Sequence, residues 1–268
     1  FGQFNHPGDF NLTGAEFRYL RLFPDGFPRM VGMEIWNESV SFERYHYGPS
    51  YESDTGYFDL ANQRGWRIAP AGGQDNHRRG WGLKNDFRVG VQAAELTRDG
   101  IAEAFLARRF YSTEDKNLVL DFRSSGHPMG SRLAGLPRVF TVTAGDRGGD
   151  DFERIRLFRN GELLQEAPVS GNTVTATFED PDGSGNDYYH VIVTQTDDGD
   201  WNGRNDEAVS APIWFEGGPA DTPRIPACGM VEAADGSGTG GAGLLAAGGA
   251  LTLLLVLLRR RPVLECPR

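Results

Sequence analysis

The sequence predicts a chain in three parts. Residues 1–116 read as an α/β segment, residues 117–216 as an all-β sandwich, and residues 242–261, past a flexible linker at 217–241, as a single C-terminal hydrophobic helix with a basic cluster. Three observations carry this. Short apolar runs in the first part end in polar residues and are followed by a well-capped helix. From Asn117 the apolar residues alternate. Residues 242–258 form an apolar run without a charge.

The chain has 268 residues and a formal net charge of −10. That length suits one or two domains with a sizeable core, and the acidic balance argues against a nucleic-acid backbone as partner. The chain opens on Phe1 inside a patterned run, so it reads as the C-terminal part of a longer protein. Cys228 and Cys266 flank the apolar run and are poor candidates for a bond to each other.

The elements follow in order. Phe1–Phe4 reads as the end of a strand that Pro7-Gly8 stops, leaving Asn5 and His6 at its C-terminal edge. Arg29–Asn37 is a second strand, with Glu34 and Trp36 on one face and Ile35 and Asn37 on the other. A carboxylate inside an apolar strand needs a partner or a metal; an arginine partner satisfies it equally well. A helix is expected over 57–64. Residues 65–71 read as a strand feeding the turn Gly72-Gly73. Leu96–Phe110 reads as a helix, capped by Thr97, with Asp99 in its first turn, Arg108 and Arg109 in its last, and Ile101 and Phe105 on one stripe.

After Gly72-Gly73 comes Asp75-Asn76-His77. In extended backbone, residues two apart share a face, so carboxylate and imidazole converge on one point. That donor pair suits zinc, manganese or iron. By itself Asp-x-His more often marks a turn aspartate beside an unrelated histidine.

Taken together, Phe4-Asn5-His6-Pro7-Gly8, Glu34-Ile35-Trp36-Asn37, Asp75-Asn76-His77, the Leu96–Ile101 helix start and Arg109–Thr113 come in one order over residues 1–125. This order resembles the second half of a PHP domain, the polymerase and histidinol phosphatase superfamily, in its CehA/McbA-like metallohydrolase branch. The resemblance implies a partial, irregular βα barrel with two or three divalent metal ions at the strand C-termini. His6, Glu34, Asp75 and His77 would face the metals. Asn37 and Arg78 would be catalytic, Arg78 by neutralising charge on a phosphoryl group. The superfamily's His-x-His motif and its second motif have no counterpart here. The implied activity is metal-dependent hydrolysis of a small-molecule phosphoester or related ester. The alternative is a non-catalytic cell-surface binding module carrying a relic barrel.

From Leu118 the runs 118–123, 138–143, 154–159, 173–178, 188–194 and 211–215 alternate or nearly so, and Asn160-Gly161 signals a type I′ hairpin. Six or so short strands predict an Ig-like sandwich. His190 reads as a strand histidine and His127 as a turn residue. Asp180–Asp187 has oxygen donors at calcium-like spacing but lacks the closing glutamate, so it reads as a solvated turn. The run 242–258 followed by Arg259–Arg261 predicts a membrane span with its basic end cytoplasmic. With Cys228-Gly229 upstream, it resembles the C-terminal sorting tails of Gram-negative surface proteins, which implies export and anchoring at the cell surface.

Overall fold

The computed structural model describes residues 1–7, 20–37, 56–183, 185–196 and 205–217. Among them the fold is predominantly β. Three strands form a parallel sheet in the order β1-β2-β3: β1 Gly2–Phe4, β2 Met30–Asn37 and β3 Ala69–Gly73. Helix α1, Tyr57–Gln63, precedes β3. Then come β4 Arg88–Val91, helix α2 Arg98–Leu106 and β5 Phe110–Thr113. The rest is strand: β6 Leu118–Ser124, β7 His127–Pro128, β8 Arg132–Ala134, β9 Val139–Asp146, β10 Phe152–Arg159, β11 Glu162–Pro168, β12 Thr173–Glu179, β13 Tyr188–Gln195, β14 Glu207–Ser210 and β15 Ile213–Glu216.

The barrel expectation does not hold. Among the described residues only two short helices accompany fifteen strands, and the parallel pairs are β1-β2, β2-β3 and β8-β15. A βα barrel needs every strand parallel and followed by a helix. Here β4 and β5 are antiparallel neighbours. The resemblance to the PHP superfamily is overturned with the barrel. Among the described residues no helix is long and apolar enough to cross a membrane. The linker, Cys228 and the apolar run with its arginines lie outside the described residues.

Two sheets make the β-rich part. One runs β11-β10-β13-β14-β5-β4, with β15 pairing both β13 and β8; the other runs β12-β9-β6-β7. Their facing sides meet in a core that includes Leu120, Phe122, Phe140 and Val142 from the smaller sheet and Ile155, Leu157, Val191 and Val193 from the larger. Phe140 anchors it, with ring centroids 4.6 Å from Tyr189 and 5.8 Å from Phe122. The turn between β10 and β11 has Asn160 at φ 56° and Gly161 at φ 87°, as a type I′ hairpin requires. Because β4 and β5 pair into the larger sheet, that sheet reaches across the boundary the sequence draws at 116/117.

A second core lies on the other side of β13. It gathers Met33, Ile35 and Trp36 of β2, Phe58 and Ala61 of α1, Trp66, Ile68 and Phe87, with Ile192 and Val209 from the larger sheet. All eight residues of β13 are therefore buried. Odd-numbered Tyr189, Val191 and Val193 face one core, while Ile192 faces the other, as the two-residue repeat of a strand dictates.

Helix α2 starts as its sequence asks. Thr97 is extended, at φ −123°, and its side chain accepts the Gly100 N–H at 3.0 Å, removing one of the unpaired donors of a helix start. The helix stops at Leu106, earlier than expected. Arg108, at φ 57°, turns the chain so that Phe110 can enter β5. Arg108 and Arg109 thus lie beyond the last turn.

Candidate functional site

The parallel pairing of β1, β2 and β3 brings their C-terminal ends to one edge. β1 ends at Phe4, two residues before His6; β2 ends on Glu34–Asn37; β3 ends at Gly73, two residues before Asp75. Register pairs Glu34 with Ala71 and Asn37 with Gly73. Most of the residues the sequence singles out therefore lie on the same rim, although the barrel around them is absent.

Glu34 is 6 % exposed. Its Oε2 accepts the backbone N–H of His6 at 2.6 Å, a charge-assisted bond that locks the β1 exit to β2. Its Oε1 lies over Gly73, where an added Cβ would come within 3.3 Å. The buried glutamate is thus held between the other two strand ends. One residue earlier the approach is tighter: a Cβ on Gly72 would lie 2.0 Å from Trp36 Nε1 and 2.4 Å from Ser112 Oγ.

Two of the singled-out residues sit in left-handed backbone, His6 at φ 34° and Asp75 at φ 42°. Such conformations are sparsely populated away from glycine and concentrate at functional turns. Past Asp75 the chain forms a loop tied down by Gln74, which accepts the Gly82 N–H at 2.7 Å and donates to the Asn85 carbonyl at 2.8 Å. Asn76 accepts the Arg78 N–H, and its own carbonyl accepts from Trp81 Nε1. Within this loop His77 Nε2 lies 2.7 Å from Asp75 Oδ1, with the imidazole 80 % exposed. Arg78 is exposed beside the pair.

Asp75 and His77 do converge, but through the left-handed turn at Asp75 and not along the extended chain the sequence suggests, and Glu34 meets His6 through its backbone. The four side chains do not close into one cage. Among the described residues, the only set of three or more carboxylates or imidazoles with ligand atoms mutually within 4.8 Å is Asp115, Asp146 and Asp150.

That acidic set follows β5 and β9, and sequence reasoning missed it. The signals were Glu114-Asp115 directly after a strand and the glycine-broken run Asp146–Asp151. Burial raises the Asp115 pKa, helped by its hydrogen bond with Asp146. Burial also works to raise Asp146, yet its hydrogen bonds with Asp115 and with the N–H groups of Asp150, Gly149 and Gly148 outweigh that and lower it. The opposite shifts mark two neighbouring carboxyl groups of which Asp115 is the one more readily protonated. Gln195 Nε2 adds contacts of 3.2 Å to each of them.

No family model matches this chain. It is 29 % identical over 139 residues to an uncharacterized protein of Chlamydia pneumoniae, and 27 % identical over 139 residues to one of Chlamydia trachomatis serovar D. Each match covers 46 % of this chain and 21 % of the relative, so the chain spans about a fifth of the length of the curated relatives it matches. Among solved structures, a CARDB domain from Pyrococcus furiosus matches 37 % of this chain and 94 % of that one, at 15 % identity and a TM-score of 0.26. A Jonesia denitrificans lytic polysaccharide monooxygenase matches 48 % of this chain and 77 % of that one, at 17 % identity and a TM-score of 0.24. Likeness at that level carries no argument about this chain.

Proposed function

We propose that the edge formed by the ends of β1, β2 and β3 binds a divalent cation and serves hydrolysis of an ester or phosphoester in a small molecule. The observation that carries this reading is the delivery of His6, Glu34, Asp75 and His77 to one rim by three parallel strands. The donor types fit the group: two carboxylates and two imidazoles suit zinc, manganese or iron. A bound cation of this kind brings the pKa of its water down to about 7 and polarises the ester oxygen.

The chain's own residues supply the rest. Glu34, buried and fixed by the His6 N–H, is the preorganised carboxylate at the base of the rim. Asp75 and His77 offer a second carboxylate and an imidazole already in contact. Arg78, exposed next to them, is available to a phosphoryl oxygen. Export and anchoring rest on residues outside those described and play no part in the proposal.

The test is metal content. Protein loaded with zinc or manganese and then dialysed should retain metal in stoichiometric amount by plasma mass spectrometry. Asp75→Ala and His77→Ala should each lose it, together with any turnover of an aryl phosphate or aryl ester. A wild-type chain that retains no metal, or an Asp75→Ala chain that retains as much as wild type, would sink the reading.

A further inference from the structure

At the opposite end of the parallel sheet, where β2 and β3 begin, the surface opens into a cleft of about 540 Å³. Phe27 and Pro28 line it ahead of β2, Arg67 ahead of β3, and Arg132 and Trp214 line it from β8 and β15. Residues 106–109, the exit of α2, form a further wall. This is an unusual place in an acidic chain, because arginine dominates it.

The charges around the cleft do not balance. Glu216, the last residue of β15, is the carboxylate that two of the lining arginines share. Arg132 grips it with Nε at 2.7 Å and Nη2 at 2.8 Å, and Arg67 Nη2 reaches its Oε1 as well. Those contacts, Arg132 first, hold the Glu216 carboxyl below its ordinary range, so it stays ionised. Arg108 is the third guanidinium. Its Nε donates to the Arg67 carbonyl at 2.9 Å, its Nη2 to the Met30 carbonyl at 3.1 Å, and its Nη1 to the Leu106 carbonyl. These are neutral acceptors; among the described residues no carboxylate pairs with Arg108. Of the five N–H groups on a guanidinium, two are left over. Arg109, a fourth, is matched by Glu103. Three cations thus share one anion, leaving two positive charges in excess.

Burial lowers the Arg108 pKa, and the charges of Arg67 and Arg132 lower it further, which states the same imbalance as mutual repulsion. A second observation is independent of charge. Trp214 lines the cleft at 6 % exposure, and its indole N–H has no hydrogen-bond partner. Buried donors are rarely left unmade, and an indole can only donate.

We propose that this cleft binds a phosphate monoester with an aromatic or aliphatic body. A phosphate monoester carries a charge near −2 at neutral pH and three acceptor oxygens, which matches two excess positive charges and the leftover N–H donors of Arg108. Guanidinium forks suit phosphate oxygens bidentately. Phe27, Pro28, Leu106 and Trp214 supply apolar wall for the body. The site is separate from the proposed cation centre, at the other end of the same three strands.

The probe is phenylphosphonate, which carries the charge and the ring but has no ester bond to hydrolyse. Titrated calorimetrically into the full chain at low ionic strength, it should bind, with affinity falling as salt is added. Benzoate, a monoanion, should bind more weakly, and benzyl alcohol should give no heat. Arg132→Gln removes a side chain that is 55 % exposed, so folding should survive, and binding of phenylphosphonate should weaken about tenfold. An indole N–H resonance missing from Trp214→Phe should shift on titration of wild type; this reads the site even if Arg132→Gln misfolds. No binding by wild type, equal binding by Arg132→Gln, or an unmoved indole resonance would each overturn the proposal. Benzoate binding as tightly as phenylphosphonate would overturn the assignment of a dianion.

Discussion

The imidazole of His190 lies flat on the ring of Phe158, with centroids 5.0 Å apart and planes 4° from parallel. His190 is fully buried in the middle of β13, and its Nδ1 is 3.9 Å from Asp59 Oδ1 on α1. Asp59 is 2 % exposed and accepts the Tyr188 hydroxyl at 3.0 Å. Two ionisable groups thus sit together in the core beneath the parallel sheet.

Their titration gives the first prediction. Burial pushes Asp59 up to about 7 from 3.8, against the opposing Tyr188 bond. Burial, with Arg156 nearby, pushes His190 down to about 3 from 6.5. For Asp59 the folded state binds the extra proton, so its contribution is full below the unfolded pKa and is lost as pH rises toward 7. For His190 the unfolded state binds it, so its contribution is full above 6.5 and is lost as pH falls toward 3. The two slopes cancel between roughly pH 4 and pH 6.5. Asp59→Asn should unmask the histidine, and its stability relative to wild type should rise with pH across that window. His190→Phe should unmask the aspartate, and its relative stability should fall. Each swing should reach a few kcal/mol at most. Urea unfolding followed by circular dichroism at several pH values measures both slopes, and parallel curves for the three proteins would refute the assignment.

Gly72→Ala should destabilise the chain by about 1–3 kcal/mol or more, because the new methyl meets Trp36 and Ser112 in a packed interior. The same change presses on the β3 exit that carries Asp75, so metal retention at the proposed centre should fall with it. Thermal melts and metal content check the two halves separately.

Tyr189→Phe removes the hydroxyl that donates to Asp180 Oδ2 at 2.7 Å inside the core. The remaining partner of that oxygen is Arg159 Nη1 at 3.0 Å. A loss of about 1.5–3 kcal/mol is expected for a hydrogen bond to a charged group. A double-mutant cycle with Asp180→Asn isolates it.

Residues 117–217 expressed alone should not fold cooperatively. Excision strips β4 and β5 from the larger sheet and uncovers Ile192 and Val209, which pack in the second core. A sharp two-state melt of the excised piece would contradict this.

Much of the local structure was legible. The β2 span, the Thr97 cap and the Asn160-Gly161 turn follow from short-range chemistry, which a single sequence displays, whereas β3 lies at Ala69–Gly73, later than the expected 65–71, with the supposed turn glycines inside it. The strands the sequence hid are those without a two-residue repeat. β5 and β14 are buried along their whole lengths, because each has strands on both sides in the sheet and packing on both faces. β11 is an edge strand with little buried surface, so its residues 162–168 carry no apolar rhythm. The barrel was misread because motif order along the chain says which residues follow one another but not which strands pair. The strand-end positions of His6 and Asp75 were legible, but their gathering with Glu34 and His77 on one rim was expected only through the PHP resemblance, which the fold overturns. The arginine cleft was not legible, because Arg67, Arg108 and Arg132 are brought together only by tertiary structure.

The pairing of β5 with β14 joins Ser112 to Val209. As the chain leaves the ribosome, the early strands are therefore made long before the partner that completes their sheet. Until Val209 and Ile192 arrive, the apolar side of β2 and the face of α1 have no cover. Contacts of such sequence separation form slowly, and the exposed surface invites association in the meantime. The central position of β13 and β14 thus makes the burial of the first strands wait on strands synthesised much later.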